Sequence, residues 1–155
     1  MPYRTVIAAA LGALFLTGPV YADGHLNGAV TARKSHMQLY QHNLGILGAM
    51  VRGNAEYDGA AAAAAASNLA ALAQLSQGSY WPPGSDNTAL PGQTRALPAI
   101  WENIPDVIAI TGRLAAAASA LAETAEDGLP AVQAGLGAIG QTCGACHDDY
   151  RAARN

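Results

Sequence analysis

The sequence predicts an all-α fold, an antiparallel up-down-up-down four-helix bundle, from three observations. Val, Ile, Thr and aromatic residues never alternate over a strand length, which removes the signature of a half-buried strand. Apolar residues instead recur in alternating steps of four and three, the spacing of one face of a packed helix. Gly, Pro and Asp then punctuate the chain into four such segments, paired by short turns and separated in the middle by one long loop.

The first helix is expected from Leu26 to Arg52, stopping at Gly53. Its seam reads Leu26, Val30, Arg33, Met37, Tyr40, Leu44, Leu47 and Val51, a strict heptad with an arginine in one apolar slot. The second starts at Asp58, which fits an N-cap, and ends before Gly78. Its run "AAAAAAA" at 60–66 has high helix propensity and permits close helix approach, and Leu69, Leu72 and Leu75 follow. Residues 78–96, "GSYWPPGSDNTALPGQTRA", form a Pro/Gly-rich loop longer than a usual helix connection. The third helix runs from about Pro98 to Ala125 with the seam Ile100, Ile104, Val107, Thr111, Leu114, Ala118 and Leu121. Pro105 inside it predicts a kink or a restart. The fourth opens at "EDGLP" and carries Leu129, Val132, Leu136, Ile139, Cys143, Cys146 and Tyr150 on its seam.

The N-terminus predicts export. "MPYR" supplies a basic n-region, "TVIAAALGALFLTG" an apolar run, and "PVYA" the small residues of a cleavage site after Ala22. Residues 1–22 therefore read as a secretory signal peptide and 23–155 as one mature domain in the periplasm. The run is short for a spanning helix, and no later segment is read as long and apolar enough to cross a membrane, so no anchor is expected after cleavage. Removing Arg4 from the eight basic residues leaves seven against eleven acidic ones. That mild acidity, with no Lys/Arg cluster, excludes nucleic acid as a partner. No catalytic constellation for hydrolysis or group transfer is present, and an enzyme is not expected.

The chemistry concentrates in "QTCGACHDD" at 141–149, which holds the chain's two cysteines. One C-x-x-C pair with an adjoining histidine lacks the spacing and the fourth ligand of a zinc site. A redox dithiol normally sits at a helix N-terminus after a strand, whereas this motif lies deep in a helical pattern. C-x-x-C-H is the attachment signature of haem c. Thiols three residues apart can bond both vinyl groups on one side of the porphyrin, and His147 then projects beneath the ring as proximal iron ligand. Export agrees, because attachment occurs outside the cytoplasm.

Only eight residues follow His147, none of them Met, His or Cys, so any second axial ligand comes from upstream. Among Met37, Met50, His25, His36 and His42, only Met37 lies on the first helix's seam. The bundle brings it within two turns of the level of His147. An ordinary core methionine is the alternative. His36 and His42 read as exposed polar positions. Arg33, costly on a buried seam without an anion, either meets a haem propionate or snorkels at the bundle end.

These features together resemble the class II cytochromes c, the cytochrome c′ family. "VTARKSHMQLYQHNLG" is similar to its first helix, "ALPAIWENIPD" to its third, and "CGACHDDYR" to its haem-binding end. The resemblance implies Arg33 near a propionate, Trp81 at the haem edge and Arg151 on the proximal side. It also implies that Met37 faces iron on the distal side. Met there is similar to the low-spin branch, in which His147 and Met37 both ligate and the protein carries one electron between redox partner proteins. The alternative is a high-spin, five-coordinate protein that binds NO or CO at an open distal site. A homodimer through the first two helices is a further implication.

Overall fold

The computed structural model describes residues 20–153, with side chains from residue 24 onward. The expected signal peptide, residues 1–22, lies outside the described residues except for the helical backbone from Val20. The helices are α1 (Val20–Val51), α2 (Gly59–Gln74), a short α3 (Ala99–Glu102), α4 (Ile104–Thr124) and α5 (Leu129–Tyr150), with a 3-10 turn at Gly78–Tyr80. The described residues contain no strand beyond one isolated bridge between Ala96 and Arg151. The four long helices form the expected bundle, packed in the ring α1–α2–α4–α5, and α1 against α5 is its most open seam.

Local chemistry sets the ends. α1 stops where Gly53 takes φ +71°, a backbone state that costs glycine nothing, and Gly53 N–H donates to Met50 O. Asp58 caps α2, its carboxylate accepting from Ala61 N at 3.0 Å. Tyr57 Oη donates to Ala125 O at 2.8 Å and ties the two upper turns together.

The core is built largely from the expected seams. Tyr40 and Leu47 of α1, Ala62, Ala65, Ala66 and Leu69 of α2, Ala118 and Leu121 of α4, and Val132 and Ile139 of α5 are buried in one cluster. The α2 alanines let neighbouring backbones approach. α5 approaches α4 tightly at Gly135, where an added Cβ would stand 2.6 Å from Leu121 Cδ1. Met50, read as off the seam, is also buried here, because the core face of α1 is wider than a two-position stripe.

Three expectations need correction. The third helix is not continuous: α3 ends at Asn103 (φ −130°, ψ 41°) and α4 restarts, with Pro105 in the first turn where its missing N–H is harmless. In the first turns after that break Ile110 is buried while the seam positions Ile104 and Thr111 are exposed, and the predicted seam returns at Leu114, Ala118 and Leu121. Second, α4 is long and apolar enough, by length and composition, to cross a membrane, contrary to the expectation for every segment after the leader. Its apolar side chains here pack between α2 and α5, with Ile104 and Ile108 left exposed. Third, Met37, on the seam by its spacing, is 41% exposed, whereas its seam neighbours Arg33 and Tyr40 are buried.

Candidate functional site

The motif lies in the last turns of α5, with Cys143 near Tyr40 of α1. Cys143 and Cys146, one turn apart on one face, are half-buried, and no disulfide joins them. Cys143 packs on the main core, whereas Cys146 packs on a second cluster formed by Ala96, Ile100, Ile110, Tyr150, Trp81 and Trp101. Burial pushes both thiols up, with the Arg151 charge pulling the other way. A reactive dithiol needs the opposite shift. Such apolar, protonated thiols suit a covalent attachment point better than thiolate chemistry.

His147 follows on the same turn, half-exposed, in an open cleft of about 640 Å³ with Arg95, Asp148, Arg151, Ala152 and Ala153. Burial first, then Arg151 and Arg95, lower its pKa, with Asp148 opposing. The imidazole is thereby held neutral, the form that can donate a lone pair to a metal. Arg151 sits one turn beyond His147 and lines the same cleft.

Across the seam stands α1. Met37 lies fourteen residues below the top of α1 at Val51, and Cys143 fourteen below the top of α5 at Leu129, so the two share a level. Tyr40 is buried one turn above; burial, then proximity to Cys143, pushes its hydroxyl up to about 12. Its Oη has no hydrogen bond within ordinary distance among the described residues, and Gln77 lies near enough to oppose the upward shift.

His36 corrects the sequence reading: it is 4% exposed rather than a surface residue, set edge-on to Tyr40 at 4.8 Å and against Tyr80 at 5.9 Å. The 78–98 loop folds Tyr80 over it, and no helical period reports a loop. His42 is exposed as expected, and so is His25. Burial lowers the His36 pKa from its ordinary 6.5, and Nε2 has no partner. Below pH 6.5 the unfolded chain takes up the proton more readily than the folded one, so stability is lost as pH falls; above it the contribution vanishes. His36→Phe is therefore expected to flatten the acid side of the stability profile, read as urea midpoints between about pH 5 and 7. A difference between the two proteins that does not change with pH in that range would refute this.

Arg33 is 4% exposed and committed to the loop. Nη1 donates to Ser85 Oγ at 2.8 Å and Tyr80 O at 3.4 Å, and Nη2 to Thr94 Oγ1 at 2.7 Å and to Ser85 O. Its guanidinium also stacks over Trp81, 4.8 Å from the ring centroid. Burial lowers its pKa, with Asp86 opposing. Of its five donors only Nε–H remains for a propionate. Trp81 lies tilted on Trp101, 6.4 Å between centroids, in the cluster that also receives Cys146, a placement that fits a cofactor edge.

Sequence reasoning missed several contacts that shape this end of the bundle. Tyr150 Oη donates to Asp106 Oδ2 at 2.7 Å, which pushes the phenol up to about 12 and pins the end of α5 to the first turn of α4. Trp101 Nε1 donates to Trp81 O at 3.0 Å. Ser85 and Thr94 are buried because Arg33 needs acceptors. Only the buried arginine hinted at them.

The residues fit haem c. Two thiols on one helical face, a neutral imidazole one residue on, a half-open seam and the orphaned Tyr40 hydroxyl beside it form a consistent cradle. Comparisons with known proteins agree. A family model described as Cytochrome C′ matches residues 28–151. Cytochrome c′ of Cereibacter sphaeroides is 34% identical over 97% of this chain and 99% of its own length. Cytochrome c-554 of the same species is 36% identical over 96% and 97%. A solved cytochrome c′, described as having an unusual ligand-controlled dimer dissociation, superposes with a TM-score of 0.76 at 31% identity, covering 83% of this chain and 97% of its own. With bundle, motif and likeness in agreement, the chain belongs to the cytochrome c′ family of class II c-type cytochromes and carries covalent haem c.

Proposed function

We propose that this chain is a periplasmic cytochrome c′, exported by residues 1–22, that binds a small diatomic ligand such as NO or CO on the α1 side of its haem. The observation that carries this reading is the likeness to proteins named cytochrome c′ over nearly the whole chain, in both sequence and fold. A relative whose dimer responds to ligand supports the same reading.

Each residue then has a task. Cys143 and Cys146 fix the cofactor through two thioethers, and His147, neutral near pH 7, offers its lone pair as the proximal ligand. Arg151 stands on that proximal side, Trp81 closes one edge, and Arg33 has only Nε–H left for a propionate. When bound, haem supplies a one-electron couple and an axial position for ligand. Redox partner proteins would exchange that electron. A homodimer would form through α1 and α2, where Leu39 is exposed beside a shallow groove of Gln38, Gln41, His42, Gly45 and Ile46.

A second reading rests on the shared level of Met37 and Cys143: Met37 ligates iron and the protein is a six-coordinate electron carrier. Optical spectra with and without CO separate the two. The open-site reading expects a high-spin ferric spectrum, ready CO binding to the reduced protein, and no change of spin state in Met37→Ala. A low-spin spectrum that refuses CO, and turns high-spin in Met37→Ala, would overturn it in favour of the carrier.

A further inference from the structure

The loop between α2 and α3 is Pro/Gly-rich and has no core of its own, yet Ser85 within it is completely buried. Something outside the loop must hold it. At one end, all four terminal N–H groups of Arg33, on α1, reach Tyr80, Ser85 and Thr94. At the other end the loop pairs with the residues that leave α5. Leu97 N–H donates to Tyr150 O at 3.0 Å, Ala152 N–H to Arg95 O at 2.8 Å, and Arg95 Nη1 to Ala152 O at 3.2 Å. Between the ends, Asn87 N–H donates to Ala96 O at 2.8 Å, and Ala96 N–H to Thr94 Oγ1 at 3.1 Å. The loop thus joins α1 to α5 at the end of the seam where the C-x-x-C-H motif lies, and it carries Trp81 into the cluster that receives Cys146.

We propose that residues 78–98 are a strap closing the haem-bearing seam and that Arg33 is its latch, a positioning residue acting through Trp81. The guanidinium suits this task because a rigid planar fork can serve several acceptors at once, which a lysine ammonium on a flexible stem cannot reproduce. The inference rests only on membership of the family, and it holds whether or not Met37 ligates iron.

The test uses the holoprotein and three variants: Arg33→Met, Arg33→Lys and the pair Ser85→Ala/Thr94→Val. Amide exchange of Trp81, Asn87 and Leu97 is followed with Leu69 of α2 as internal control, together with the reduction potential. Losing charged, buried hydrogen bonds should speed exchange in the strap about tenfold or more in Arg33→Met while Leu69 is unchanged. Ser85→Ala/Thr94→Val should move the same amides in the same direction although Arg33 is intact. In both, water reaching the Trp81 edge should lower the potential, since exposure favours the more charged ferric state. Arg33→Lys should not restore either value. The proposal is overturned if strap exchange stays at the wild-type rate in Ser85→Ala/Thr94→Val, or if Arg33→Lys restores the potential, because Arg33 would then act on the cofactor by charge. Should Arg33→Met fail to accumulate, the Ser85/Thr94 pair decides alone.

Discussion

Replacing Cys143 and Cys146 together by alanine is expected to abolish covalent haem retention. Acidic butanone should then strip all haem from any protein that still holds it through His147, while the wild type keeps its haem through the same extraction. Each single variant should retain haem through its remaining thioether. The two thiols sit on one face of α5, half-buried and kept protonated by burial, so neither has a competing role as a thiolate. Unaltered haem retention in the double variant would contradict the attachment assignment.

The largest effect on stability is expected at the α4–α5 contact. Leu121 is 1% exposed and lies where α5 approaches so closely that a Cβ on Gly135 would meet three of its atoms within 3.1 Å. Leu121→Ala removes three heavy atoms (Cγ, Cδ1 and Cδ2) from a site hemmed in by two rigid helices, which limits collapse. The expected cost is about 2–5 kcal/mol, read from urea unfolding of the holoprotein. An exposed counterpart, Leu75→Ala at 50% exposure, should stay within about 0.5 kcal/mol of wild type. Equal losses at both positions would show that the core is not where the structure puts it.

Features that are local or periodic were legible in the sequence. The α5 seam through Leu129, Val132, Ile139, Cys143 and Tyr150 is a heptad over a helix with no interruption, and the structure buries or half-buries every one of those positions. The Asp58 cap and the Gly53 stop depend on one or two residues and could be read directly. The α3–α4 segment was less legible, because Asn103 breaks the helix and the first turns after it depart from the predicted seam, which is recovered only at Leu114, Ala118 and Leu121. A periodic reading carried across that break exposes Ile104 and Thr111 where burial was expected, and misses Ile110. The loop was the least legible part. Its order comes from Arg33 bonds spanning 47 to 61 residues, which leave no periodic trace in the chain. His36 was misread for the same reason, since the Tyr80 that covers it belongs to that loop.

The site shows the same division. C-x-x-C-H identified its chemistry because the geometry of attachment fits within one helical turn. Arg33 stood out as an arginine among apolar seam residues, and the structure gives it acceptors in Ser85, Thr94 and Tyr80 that no spacing rule pairs with it. Met37 was read on the α1 seam by spacing alone, and its 41% exposure is a tertiary property that spacing does not report.

The measurement that bears most directly on the whole account is the intact mass of the chain recovered from the periplasm of a host that matures c-type cytochromes, with a thiol titration on the same sample. The expected result is a chain beginning at Asp23, heavier by one haem, with no titratable thiol. A mass equal to the bare polypeptide with two free thiols would contradict it.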